Sequence, residues 1–168
     1  MPAAPVDIDL TMRPGDTVSA SVSVSGHTVR LYLANRTRGT VFTKQLRADR
    51  IDITSAEWIV EAPSACYGDR CETLPLANFG STSFAGATAT SALTAHQGTI
   101  SDPAWSATSI ALRAGGGHAF GGRFAADSGS GGASPGDLTA TGDGFPVTYE
   151  EAPAPTQTDA NGPSSPPV

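Results

Sequence analysis

Over residues 17–25 the chain alternates without interruption: Val18, Ala20, Val22 and Val24 take every second position, and Ser or Thr takes the others. A side-chain period of two belongs to a β-strand with one apolar and one wet face, and it cannot form an amphipathic helix. The same rhythm surrounds it. Residues 6–12 alternate Val6, Ile8, Leu10 and Met12 against Asp7, Asp9 and Thr11, and Arg13-Pro14-Gly15-Asp16 follows as a turn. Gly26-His27 reads as a hairpin turn into a strand over 28–34, and Asn35-Arg36-Thr37-Arg38-Gly39 turns again into a strand over 40–46. No segment sets apolar residues at helical spacing. The expected class is therefore all-β and antiparallel.

Composition agrees and removes several functions. Nineteen Gly and thirteen Pro in 168 residues favour short strands and turns. The formal charge is -6 and Lys44 is the only lysine, so no basic stripe exists to draw a phosphate backbone, and nucleic acid is excluded as the expected partner. No apolar run is long enough to span a bilayer. Gly115-Gly116-Gly117 is followed by no Lys-Ser or Lys-Thr, so it reads as a flexible turn rather than a phosphate loop, and no cofactor is expected.

Residues 55–63 read Ser-Ala-Glu-Trp-Ile-Val-Glu-Ala-Pro. As a strand ending near Ala62, ahead of Pro63, this segment puts Glu57, Ile59 and Glu61 on one face and sends Trp58 and Val60 into a core. A half-buried strand with a solvated polar face satisfies the pattern as well as a pair of functional carboxylates does. Residues 62–75 are expected to form a loop carrying Cys66 and Cys71, whose spacing suits a disulfide of the kind exported proteins keep. A free thiol pair is the alternative. Zinc is a poor one, because His27, His96 and His118 are scattered singly and read as turn or surface residues. Further strands are expected over 79–84 and 87–93, joined near Gly86, and over 105–112 and 120–124. A Gly/Ser-rich surface loop is expected over 125–136, then a last strand over 145–150. Residues 151–168 have the composition of a disordered tail.

Glu57-Trp58-Ile59-Val60-Glu61 followed by Leu76-Ala77-Asn78-Phe79-Gly80 and Ser83-Phe84 resembles the glutamic peptidases, the eqolisins of the peptidase A4 or G1 family. The resemblance covers roughly residues 2–93 and weakens beyond. It implies a lectin-like sandwich of two curved antiparallel sheets occupying residues 1–150. It also implies a secreted acid protease acting on polypeptides, as a monomer, without metal or covalent intermediate. In that family a glutamate serves as general acid/base, and a glutamine orients water and stabilises the oxyanion. The phrase puts Glu61 in the acid/base role, with Glu57 as its rival. Gln45, Gln97 and Gln157 have the wrong neighbours for the glutamine, and Asn78 stands where the family usually has Asp. Met1-Pro2-Ala3-Ala4-Pro5 has neither the charged start nor the apolar run of an export leader. The resemblance therefore implies a carboxy-terminal part, incomplete at its N-terminus, lacking the glutamine partner and inactive or weak alone. A different class satisfies the strand pattern too: a non-catalytic β-sandwich binding module, for carbohydrate or a protein ligand.

Overall fold

The computed structural model describes residues 6–67, 70–112 and 131–152. The described elements are ten β-strands in four antiparallel sheets, with no helix among them. The all-β antiparallel expectation holds. The chain divides into two compact units, Met1–Glu57 and Trp58–Val168.

The first unit is a meander of three eight-residue strands, β1 (Val18–Ser25), β2 (Thr28–Asn35) and β3 (Thr40–Arg47). Gly26, at φ 55°, lets a two-residue turn close β1 onto β2 with Ser25 opposite Thr28. The alternation of the sequence becomes two faces. Ala20, Leu33 and Phe42 lie in one cross-strand row, and Val24, Val29 and Leu46 in another on the same side. Ser21, Tyr32 and Thr43 share the opposite side. Residues 6–12 do not join this sheet as the strand their alternation suggests. Leu10 is buried and its N–H bonds locally to the Ile8 carbonyl, but Val6, Ile8 and Met12 stay exposed. Alternation supplies a face, and only a partner ladder turns it into a strand.

In the second unit β4 (Ser64–Tyr67) and β5 (Arg70–Thr73) pair as a hairpin, and β7 (Thr88–Thr90) pairs with β8 (Gln97–Thr99). The third sheet runs β6 (Ser81–Phe84), β10 (Phe145–Glu150), β9 (Gly132–Pro135). Leu76, Ala133 and Val147 form its buried core, with Val60, Ala62, Phe79, Phe84, Leu112, Phe145 and Tyr149 packed against them.

Four expectations change here. Residues 62–75 carry a hairpin instead of a loop. Within the Gly/Ser-rich segment, residues 132–135 are a strand. Small residues suit this place, because a Cβ on Gly131, just before the strand, would collide with the Tyr149 ring, and Ala133 is 3% exposed in the core. Residues 105–112 form no strand apart from a two-way backbone bridge between Leu112 and Ala133. Residues 55–63 join no ladder. Strand β10 matches its expected bounds. Pro146 is tolerated in this central strand because its missing N–H falls at the last rung towards β9, where its carbonyl accepts from Gly136. Residues 120–124, the glycine triplet at 115–117, His118 and residues 153–168 of the expected tail lie outside the described residues.

Candidate active site

Although no ladder holds residues 58–62, the expected alternation is present. Val60 and Ala62 pack against the Leu76–Ala133–Val147 core. Ile59, 43% exposed, and Glu61, also exposed, look away from it. Trp58, expected in the core beside Val60, is half-buried but is not among the side chains packed against it. The Pro63 carbonyl accepts from the Leu74 N–H at 2.7 Å, so the segment is anchored just beyond Glu61 where the β4–β5 hairpin begins. Hydrophobic contact on one side and this bond at one end do the work that a β-ladder was expected to do.

Glu61 has no hydrogen bond or ion pair to another described residue. No arginine among the described residues pairs with it, and its carboxylate is exposed. Glu57 is also exposed, and its Oε1 accepts a 3.3 Å hydrogen bond from the Ser55 hydroxyl. It belongs to the first compact unit, whereas Glu61 belongs to the second.

Asn78 shows what its side chain does without an ionisable proton. Its Oδ1 accepts from the Gly80 N–H at 2.9 Å, a local turn that sets Gly80 at φ 65°. The Gly80 carbonyl then accepts from the Tyr149 N–H at 2.8 Å, and the Phe79 ring meets Tyr149 edge-on at 5.9 Å. Asn78 thus organises the entry to β6 next to the core on which residues 60–62 rest.

Cys66 and Cys71 are opposite each other in the β4–β5 register, and no described cysteine is a free thiol. No described group of three or more His, Cys, Asp or Glu side chains is arranged to hold a metal ion.

One constellation escaped the sequence reading. His96 Nε2 lies 3.0 Å from Asp102 Oδ2, and the His96 ring meets Trp105 edge-on at 5.5 Å. Trp105 donates from its indole nitrogen to the Thr99 carbonyl, and Asp102 Oδ1 accepts from the Ala104 N–H. That backbone bond, then the contact with His96, holds the Asp102 carboxyl below its ordinary range against a desolvation that works the other way. The signal was Asp102-Pro103, a turn-starting pair six residues after His96. No hydroxyl or thiol is bonded to the second nitrogen of His96 among the described residues, so the group is a turn clamp and not a nucleophilic triad.

Two open depressions lie in the first unit. One is lined by Val24, Gly26, His27 and residues 49–53, the other by residues 23–25, Thr28, Arg30 and Gln45. Neither contains Glu57 or Glu61.

Comparison with known proteins bears on these residues directly. The family model described as "Peptidase A4 family" matches residues 1–114. Among solved structures, aspergilloglutamic peptidase from Aspergillus niger superposes with a TM-score of 0.51 and 25% sequence identity, over 84% of this chain and 70% of that one. No curated protein matches the chain. The matched family region contains Glu57, Glu61, Asn78 and the His96–Asp102 clamp, and it spans well over half of the 168 residues, so this chain belongs to the peptidase A4 family, the glutamic peptidases.

Proposed function

We propose that this chain carries Glu61 as the general acid/base of a glutamic-type acid endopeptidase and, with none of its glutamines assigned as the partner, is inactive or only weakly active alone. One observation carries the reading: Val60 and Ala62 are fixed in the core while Glu61 between them faces away, unpaired with any described residue. A carboxylate so placed takes a proton from water as the water attacks a peptide carbonyl, then delivers it to the departing amine. Negative charge collects on the carbonyl oxygen meanwhile, and the amide side chain that the family uses there is a suitable donor. Gln45 lies on β3 and Gln97 on β8, both exposed, and neither is assigned that role. The substrate is an unfolded or extended polypeptide, and the protein works as an exported monomer with Cys66 joined to Cys71.

Hydrolysis of an unfolded protein at pH ~3–4, near the free carboxylate pKa, tests the assignment. Glu61→Gln should lower whatever cleavage the parent shows by at least about 10²-fold, and a mutant that cleaves as well as the parent would remove Glu61 from the mechanism. A binding module is the second reading, favoured by the absence of Glu61 from both depressions. Unchanged substrate protein on prolonged incubation at acid pH, combined with its retention by the folded chain, would select it.

A further inference from the structure

The backbone pairing of the first unit leaves one long edge open. Arg36 N–H donates to the Thr17 carbonyl, so Thr17 and Arg36 are a hydrogen-bonded pair at the end of the β1–β2 ladder. In an antiparallel ladder such pairs recur at every second residue. Ser19, Ser21, Ser23 and Ser25 therefore bond towards β2, and Ser25 opposite Thr28 closes the hairpin in the same phase. Val18, Ala20, Val22 and Val24 consequently aim their N–H and C=O groups away from β2. Strand β1 is the outer member of its sheet, and no described residue bonds to those groups.

The same four residues carry side chains of the apolar face. Val22 is 68% exposed and Val18 40%. An incoming strand would complete the unsatisfied backbone rungs and extend a row of apolar side chains in a single act.

Two other edges are treated differently, and the uncharged outer strands β6, β7 and β8 are only three or four residues long against eight for β1. Strand β3 carries Lys44 and Arg47, charges of the kind that deter edge pairing, and the outer side of β9 is closed by the Leu112 bridge. Strand β1 contains no charged residue and no proline in its eight positions. The uncharged edge accepts a neutral strand without burying an unpaired charge. A second copy is disfavoured, because each copy brings a net charge of -6.

We infer that the β1 edge is a binding site for an extended, neutral-to-basic polypeptide with apolar residues at alternate positions. It is held as an added strand by Val18, Ala20, Val22 and Val24. This inference stands apart from Glu61 and survives the failure of that assignment.

A capped peptide of alternating Thr and Val with a lysine at each end serves as the probe. It is titrated at neutral pH into the isotopically labelled full chain while amide hydrogen exchange is followed residue by residue. Exchange at the Val18, Ala20, Val22 and Val24 amides should slow on binding, while Ser19, Ser21 and Ser23, already bonded to β2, should change little. Ala20→Pro removes one outward donor and spares the β2 ladder, so it should weaken binding roughly tenfold, about one hydrogen-bonded rung, with the melting curve retained. Val22→Lys changes an exposed side chain and should weaken binding without unfolding, which keeps the test decisive if the proline variant misfolds. Equal slowing at odd and even positions, undiminished binding by Val22→Lys, or no binding at all would overturn the inference. Protection of the even amides that rises with protein concentration and without peptide would also overturn it, by giving the edge to a second copy.

Discussion

Asn35 donates from Nδ2 to the Asp16 carboxylate at 2.7 Å, and its side chain is completely buried. The same Nδ2 reaches the Thr11 carbonyl, and its Oδ1 accepts from the Arg38 N–H at 3.1 Å. Arg38 in turn sends Nε to Asp16 at 2.7 Å, while the Asp16 side chain is 5% exposed. One amide thus ties the chain before the Pro14-Gly15 turn to the end of β2 and the start of the turn into β3. Asn35→Ala strands a backbone carbonyl, an amide N–H and part of a carboxylate, and leaves a hole where the amide sat. The expected loss is about 3 kcal/mol, the cost of leaving buried polar partners unmade. Urea unfolding followed by circular dichroism measures it, and a midpoint unchanged from the parent would contradict the account.

The acid response follows from four carboxylates. Asp16 is held low chiefly by Arg38 and then Asn35, Asp52 by the Thr54 hydroxyl and then its N–H, and Asp102 by the Ala104 N–H. Asp143 is held low by the Thr141 and Thr139 hydroxyls. A depressed folded pKa adds stability that is fully present above the unfolded value of 3.8 and disappears as pH falls through the lower folded values. Stability against urea should therefore persist to about pH 4 and decline below it, so the fold keeps these contributions down to the edge of the range where acid catalysis is proposed. Asp16→Asn should flatten part of that decline. A pH series of unfolding curves in which parent and variant fall in parallel would refute Asp16 as a contributor.

These two networks mark how far the sequence could be read. The three-strand meander and β10 were legible, because alternation and turn residues agree with the ladders that form. Residues 6–12 show the same alternation without forming a strand, since pattern alone does not supply a pairing partner. Strand β9 was hidden for the opposite reason. Its Gly and Ala residues look like loop composition, yet Ala133 is buried in the core and the Tyr149 ring fills the space where neighbouring Gly131 would carry a side chain. At the site, the outward direction of Glu61 was legible from the two-residue period. The His96–Asp102 clamp was not, because its geometry is made by the turn through Pro103 rather than by any period.

The β4–β5 hairpin makes the cysteine prediction concrete. Cys66 and Cys71 face each other in register, and a bond between them closes a loop short enough to stabilise by roughly 2 kcal/mol. Cys66→Ser should lower the melting temperature and release one thiol to titration in the unfolded, unreduced protein. The parent should release none until a reductant is added. Two titratable thiols in the unreduced parent would disprove the pairing.

Glu57 and Glu61 lie four positions apart in one phrase, yet their settings differ, and the difference predicts which one the reaction needs. Glu57 sits at the end of the first compact unit with the Ser55 hydroxyl on its Oε1. Glu61 sits between two core-packed residues, Val60 and Ala62, with its backbone direction fixed at both neighbours. Proton transfer in a transition state depends on a group whose position does not wander. Glu61→Gln should therefore reduce kcat by about 10²–10⁴-fold, the usual worth of a general acid/base. Glu57→Gln should leave kcat within a few-fold of the parent and act, if at all, on KM through substrate binding. Steady-state kinetics of both variants on one peptide at acid pH makes the comparison. A collapse of kcat in Glu57→Gln with Glu61→Gln spared would transfer the acid/base role to Glu57.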